Sequence, residues 1–157
     1  MTNPASDLER LQFLARIVSK ECTYLSATDA RLFPSPFTRE KALQLALDAD
    51  LAERVDAFIG RFGRLQDTLG DKLLPNLLLA LGERSGAAID NLDHAEKLGF
   101  ISSADQWFAM RQLRNQMIHE YIENLDILAN ALNEGHIFVA LLISTADAMI
   151  AELDRRG

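Results

Sequence analysis

Cysteine is nearly absent from this chain of 157 residues, and the lone Cys22 excludes an intramolecular disulfide. Residues 1–6 lack the basic start and apolar stretch of a secretory signal peptide, and no uninterrupted apolar run approaches the ~20 residues of a membrane span. These absences predict a cytoplasmic protein without membrane contact. Cys22 falls on an apolar helical stripe, which favours a small core residue over a catalytic thiol.

Positive charge is also scarce, since 16 Lys and Arg residues stand against 23 Asp and Glu residues. The net charge of −7 argues against broad nonspecific nucleic-acid binding, because such binding neutralises phosphates with basic side chains. A small basic site is compatible with this balance, and so is a partner that carries a basic patch.

The alternating pattern of β-strands is missing too, and apolar residues instead recur every three or four positions. Hydrophobic residues make up 48% of the chain, which is enough for one core. The sequence therefore predicts a single all-α domain over residues 1–157, built as an up-and-down bundle of four to five helices.

Capping and helix-breaking residues predict where the helices begin and end. The first helix is predicted to start at Ser6, in a capping box with Glu9, and to end before Pro34. The second is predicted to start at Thr38 and to run toward Leu69. Its apolar stripe is predicted to contain Leu43, Leu47, Leu51, Val55, Phe58, Ile59 and Phe62.

The second half of the chain carries equally clear boundary signals. Pro75 is predicted to interrupt the second helix, and residues 82–86 to form a loop. Gly99 suits a left-handed C-cap, while Ser103 and Asn124 suit the N-caps of the last two helices.

The last helix repeats apolar residues with a period near 3.5, which predicts a packing seam. This seam comprises Leu125, Leu128, Leu132, Val139, Leu142, Ala146, Met149 and Leu153. It would face either the other helices of the bundle or a second subunit. His136 beside it is predicted to be structural or solvent-facing, and His94 lacks the further ligands of a metal site.

Residues 111–121 place many polar and charged side chains on one predicted helix. With ~100° between successive residues, Asn115 and His119 share one face, and Arg114 and Tyr121 share another. Arg114 and His119 are ~140° apart on a straight helix. A complete catalytic site is therefore not expected within one such helix, and a solvated polar face is the plain alternative.

The same residue types suit metal-free RNA cleavage, which needs a base, an acid and a cation for the charge that develops on phosphorus. His119 can act as base or acid near neutral pH, Arg114 can grip phosphate, and Asn115 can orient either. One histidine does not readily serve both sides of a phosphate. A symmetric dimer that supplies two copies of each residue is therefore expected.

The pattern Arg-Asn-x3-His-x-Tyr at residues 114–121 resembles the Arg-x4-His-x-Tyr signature of the HEPN superfamily. It is most similar to HepT-like toxins and to the substrate-binding partners of minimal nucleotidyltransferases. The best match covers residues 96–123, and a fainter one covers residues 57–67. The resemblance implies a dimeric all-helical bundle.

The resemblance also implies roles for individual residues. Arg114, Asn115 and His119 would cut RNA in a cleft between two subunits, without a metal or another cofactor. The implied partner is a small nucleotidyltransferase antitoxin, for which Tyr121 would be the AMP acceptor. The alternative for Tyr121 is a half-buried side chain with a hydrogen-bonded hydroxyl.

Arg111, Arg64 and Asp67 are the further residues that the resemblance places along the cleft. The second helix departs from related substrate-binding proteins, because Gly63 and Arg64 stand where those carry bulky and acidic residues. Three functions therefore stay open. They are an RNA-cleaving toxin, a non-catalytic substrate-binding or docking subunit of a two-component nucleotidyltransferase, and an ordinary helical dimerisation domain.

Overall fold

A computed structural model describes residues 4–156, whereas residues 1–3 and 157 lie outside the described part of the chain. The elements are α1 (Pro4–Leu32), α2 (Arg39–Gln44), α3 (Ala49–Asp67), a π-helical segment (Thr68–Leu73), α4 (Leu74–Ala80), α5 (Ala88–Lys97), α6 (Ala104–Glu123) and α7 (Leu125–Arg156). Residues 4–156 contain no strand, so the predicted all-α class is confirmed. The up-and-down order and the symmetric dimer stay predictions.

The long helices surround one apolar core, in which α3 packs against α1 and α7 packs against both α1 and α6. The largest fully buried side chains are Phe58, Phe62, Leu25, Leu32, Leu65, Leu69, Leu73, Leu74, Leu77, Leu78, Met110 and Met117. Burying a side chain of this size contributes about 1.5–3 kcal/mol. Cys22 is half-buried against this core, and burial raises the pKa of its thiol to about 11, which fits the predicted packing role.

The first helix extends further than its sequence signals suggest. α1 already includes Pro4, so the capping box predicted at Ser6 is wrong. Proline is favoured at the first helical position because its missing N–H would have no partner there. α1 ends at Leu32, ahead of Pro34, as predicted.

The predicted second helix is divided into α2 and α3. The Thr38 side chain caps α2 by accepting from the backbone N–H of Lys41, as predicted, but α2 ends after six residues. Asp48 then begins α3 by accepting from the backbone N–H three residues later. Leu43 and Leu47 are consequently exposed, Leu47 to 91%, so their predicted core positions are wrong.

The π-helical segment joins α3 to α4, so helical backbone runs continuously from residue 49 to residue 80. Pro75 lies in the first turn of α4, where it provides no N–H for the preceding turn. The predicted interruption of the helix at Pro75 is therefore wrong, and the helix instead changes from π to α geometry just before this residue. The loop predicted after it contains Gly82, with a positive φ of 77°.

The caps predicted in the second half are confirmed. Gly99 has a φ of 84°, and Phe100 N–H donates to the carbonyl of Ala95 at 2.9 Å, which closes α5 with a left-handed turn. Ser103 caps α6, and Asn124 caps α7 by accepting two backbone N–H groups.

The apolar seam of α7 faces the interior of this chain. Its buried members are Leu128, Leu132, Val139, Leu142, Ala146, Met149 and Leu153, and Leu125 is half-buried. Gly135 lets α3 approach, because a β-carbon there would lie 3.2 Å from Phe58. His136 stacks on Phe33 and lies 2.7 Å from an Asp29 oxygen, so it joins α7 to α1. The seam is therefore used within the bundle.

By length and composition alone, α7 could cross a membrane, since its most apolar 18-residue window has a mean hydropathy of 1.6. Polar residues interrupt its apolar stretches, so no uninterrupted apolar run in the sequence marks this helix. A core helix of a soluble protein meets the same criterion, and 33% of this window is buried in the bundle. The cytoplasmic location stays a prediction.

Candidate functional site

The predicted site residues lie on α6, whose sides have different surroundings. Its apolar side is buried and comprises Trp107, Met110, Leu113 and Met117. Arg111 and Arg114 lie beside it and reach α3 and the π-helical segment. Asn115 and His119 are exposed to solvent. The helix therefore divides the predicted site residues between a packed side and a solvent side.

Arg114 is fixed on α3 by charge and by shape. Its Nη1 donates to both carboxylate oxygens of Asp67, at 2.7 and 2.8 Å, and the side chain is 27% exposed. The guanidinium crosses α3 at Gly63, where a β-carbon would lie 2.5 Å from Nε. Within residues 4–156 both side-chain hydrogen bonds of Arg114 leave from Nη1, so Nε and Nη2 have no partner there and can donate to another group.

Arg111 forms a second pair one turn away. Its Nη2 donates to both oxygens of Asp71 at 3.0 Å and lies 4.0 Å from an Asp67 oxygen. Asp71 belongs to the π-helical segment. Gly70 in the same segment packs against Trp107, where a β-carbon would lie 3.2 Å from the indole Nε1. We call Arg111, Arg114, Asp67 and Asp71 the paired cluster.

His119 is a largely exposed titratable group on this helix. Its side chain is 71% exposed, and its Nε2 lies 3.8 Å from an oxygen of Glu120. Asn115 is exposed one turn earlier on the same face. Within residues 4–156, neither side chain forms a hydrogen bond with Arg114. The helix thus separates Arg114 from His119 as its geometry predicts.

Tyr121 lies against α3, on the same side of α6 as Arg114. Its hydroxyl donates to the carbonyl of Ala52 at 3.3 Å, and the ring packs at the edge of the core. Burial, followed by the negative charge of Asp56, raises the pKa of this phenol. Tyr121 is therefore a neutral, half-buried tyrosine with a hydrogen-bonded hydroxyl, and its role as AMP acceptor stays a prediction.

Arg64 belongs to different surroundings from Asp67. It is exposed and lines a cavity of about 20 Å³ together with Glu21, Tyr24 and Arg61. Both carboxylate oxygens of Glu21 are shielded there without a hydrogen-bond partner, and burial raises the pKa of this group. Of the cleft-lining residues that the resemblance implied, the structure brings Arg111 and Asp67 to Arg114, but not Arg64.

Gly63 and Asp71 are the residues of this site whose role the sequence did not reveal. The glycines at 60, 63 and 70 within a predicted helix indicate the close approach of another helix, and Gly63 also departs from the family pattern. Neither feature indicates that Gly63 makes room for the Arg114 side chain. A usable signal was present, since carboxylates four residues apart and arginines three residues apart have matching spacing on two packed helices.

The described residues 4–156 contain no group of three or more His, Cys, Asp or Glu side chains that could hold a metal ion. His94, for which metal binding was considered, has a shielded Nδ1 without a hydrogen-bond partner in this part of the chain. The titratable groups on α6 therefore offer acid–base and electrostatic chemistry.

No family model, curated protein or solved structure matches this chain. The chemistry and placement of its own side chains are therefore what indicate a function for it. The relevant features are the paired cluster and the exposed face with Asn115 and His119.

Proposed function

We propose that this protein is a HepT-like endoribonuclease toxin that works without a metal, as a symmetric dimer restrained by a small nucleotidyltransferase. The observation that supports it is the exposed His119, on the same helix as an arginine that Gly63 and Asp67 hold in place. An exposed imidazole can transfer protons near neutral pH, and a fixed guanidinium with free donors can stabilise phosphate charge.

The proposed reaction is transfer of an RNA phosphoryl group to the neighbouring 2′-oxygen. His119 of one copy takes the 2′-hydroxyl proton while that oxygen bonds to phosphorus. The bond from phosphorus to the 5′-oxygen breaks, and His119 of the second copy gives that oxygen a proton. Nε and Nη2 of Arg114 stabilise the charge on the other oxygens. The products are a 2′,3′-cyclic phosphate and a free 5′-hydroxyl.

The direct test is RNA cleavage by the purified full chain. His119→Ala is expected to lower the rate about 10²–10⁴-fold, the usual contribution of a proton-transferring side chain. Asn130→Ala, an exposed residue on α7, serves as the matched control and keeps full activity. Mass spectrometry of the products should find the cyclic phosphate end. Equal cleavage by His119→Ala and by the unmodified protein contradicts the proposal.

Mixing unmodified protein with an inactive variant tests whether the site is shared. The proposed site needs His119 from both copies, so a mixed dimer of the unmodified protein and His119→Ala should be inactive. In an equal mixture, random exchange moves about half of the unmodified copies into mixed dimers, so the activity should fall to about half of that of the same amount of unmodified protein alone. Unchanged activity in a mixture whose exchange is verified excludes a shared site.

The docking subunit is the second candidate, and the paired cluster favours it. Asp67 and Asp71 partly neutralise both arginines, which weakens their pull on a phosphate. This candidate requires a stable complex with a small nucleotidyltransferase and intact RNA after incubation with the unmodified protein. Cleavage that depends on His119 rules it out.

A further inference from the structure

A groove between α1 and α3 gathers arginines on the side of α3 away from the paired cluster. It encloses about 330 Å³ and is lined in part by Thr28, Arg31, Asp50, Glu53, Arg54 and Arg61. Within residues 4–156, no carboxylate oxygen lies within 4.0 Å of a guanidinium nitrogen of Arg31, Arg54 or Arg61. The positive charge in this groove is therefore not cancelled by direct ion pairs.

The Arg54 guanidinium has a donor that lacks a hydrogen-bond acceptor within the described residues. Its Nε is shielded from solvent and has no hydrogen-bond partner in the described chain. Arg61, in contrast, is oriented by hydrogen bonds to the Thr28 hydroxyl and to the Tyr24 carbonyl at 3.2 Å. The Arg54 side chain also lines the groove, so its terminal guanidinium nitrogens are the donors that an anion there would meet.

The basic lining continues along α3 beyond this groove. Arg61 also lines the small cavity that contains Arg64 and Tyr24, so the two spaces adjoin. Arg54 and Arg64 are ten residues apart, which is about 15 Å along a helix. Tyr24 is 54% exposed, and the Arg61 guanidinium lies 5.6 Å from its ring centre.

We propose that this α1–α3 groove binds the phosphate backbone of single-stranded RNA, with Tyr24 as the surface on which a base stacks. Guanidinium groups grip phosphates, and exposed aromatic rings stack on unpaired bases in proteins that bind single strands. A duplex keeps its bases inside and gains nothing from the ring. The site would hold the substrate of the nuclease, so it rests on the proposed function.

Asp50 and Glu53 limit how far the basic surface extends. Both are exposed at the groove, and the whole chain has a net charge of −7. Long-range repulsion of RNA is therefore expected, and binding must come from contacts at short range. We expect affinity to fall steeply with salt, by a slope of about −0.7 for each phosphate neutralised on a single strand.

The test measures binding of a fluorescent oligouridylate by polarisation, with His119→Ala as the parent protein so that the RNA stays intact. Adding Arg31→Gln and Arg54→Gln is expected to weaken binding at least about tenfold and to reduce the salt slope by about 1.4. The control adds Arg10→Gln and Arg84→Gln, exposed arginines outside the groove with the same change in charge. It should weaken binding less than about twofold. Circular dichroism verifies the fold of each protein.

The proposed RNA site is overturned if the two double variants weaken RNA binding equally, or if the parent protein does not bind RNA. Uridine monophosphate that binds as tightly as the oligomer also overturns it, because a single-anion site would then suffice. A cleavage assay with the unmodified protein distinguishes failure of this site from failure of the proposed function. If RNA binds through the groove but is not cleaved, only the nuclease proposal is rejected. If RNA is cleaved but its binding does not depend on Arg31 and Arg54, only the groove proposal is rejected.

Discussion

The two sides of α3 use the same residue type in opposite ways. Toward α6, Arg111 and Arg114 are paired with aspartates through two hydrogen bonds each. Toward α1, Arg54 and Arg61 have no carboxylate partner within residues 4–156. A paired arginine connects helices, whereas an unpaired arginine that lines a groove is available to an external anion.

On the side of α3 that faces α6, a glycine occupies a position where a larger side chain has no room. Gly63 is buried beneath the guanidinium of Arg114, while Gly60, one turn away, has only the end of Arg64 near its missing side chain. The two glycines look alike in sequence but differ in their neighbours. This difference is the most direct way to test the packed side.

Gly63→Ala should have the largest effect on stability. The new β-carbon would lie 2.5–3.0 Å from three atoms of the Arg114 side chain, which must move away from Asp67. We expect the free energy of unfolding to fall by about 1–2 kcal/mol in urea denaturation, because the overpacking and the displaced ion pair outweigh the gain in helix propensity. Gly60→Ala, where the nearest atom is 3.4 Å away, should instead stabilise by up to about 1 kcal/mol. Similar losses for both variants would contradict this assignment.

Asp67→Asn should have the next largest effect, since it breaks the less exposed of the two pairs. Its partner Arg114 is 27% exposed, and Arg111, the partner of Asp71, is 31% exposed. We expect a loss of about 1 kcal/mol for Asp67→Asn and about 0.5 kcal/mol or less for Asp71→Asn. A double-mutant cycle with Arg114→Gln measures the coupling. No coupling between Asp67 and Arg114 would show that the pair does not hold α6 to α3.

Glu21→Gln should have the smallest effect and concerns the α1 side. Burial raises the pKa of Glu21, so the folded protein holds a proton that the unfolded chain has released. The resulting stability is complete below the ordinary pKa of 4.5 and is lost as pH rises through the folded value. The Gln variant lacks this loss and should be more stable at neutral pH by less than about 0.5 kcal/mol, because the group is partly exposed.

Thermal unfolding from acid to neutral pH measures this difference. Glu9→Gln, an exposed position on α1, is the control and should follow the unmodified protein at every pH. If Glu21→Gln also follows it throughout, the carboxyl is not penalised by burial and the assignment fails.

Local signals predicted much of the fold, and their failures have a common cause. Gly99, Ser103 and Asn124 fulfil their predicted capping roles, because each depends on hydrogen bonds to a few neighbouring residues. Leu43 and Leu47 fitted a helical stripe, yet both are exposed. The stripe continues across the break that Asp48 imposes, so periodicity alone did not detect the division into two helices.

The candidate site shows the same limit. The separation of Arg114 from His119 follows from the helical repeat and was available from the sequence. The pairing of Arg111 with Asp71 required α6 and the π-helical segment to lie side by side. Nothing in the sequence distinguishes Arg54 and Arg61 from the other arginines, because their lack of carboxylate partners depends on how α1 packs beside α3.

Residue type and spacing over a few turns are enough to specify an all-helical chain, most of its helix ends and a buried seam along α7. The packing of the helices against one another specifies that the seam faces its own bundle and which arginines are paired. Those outcomes depend on distances between residues such as Asp67 and Arg114, which lie 47 positions apart and meet only when the helices pack.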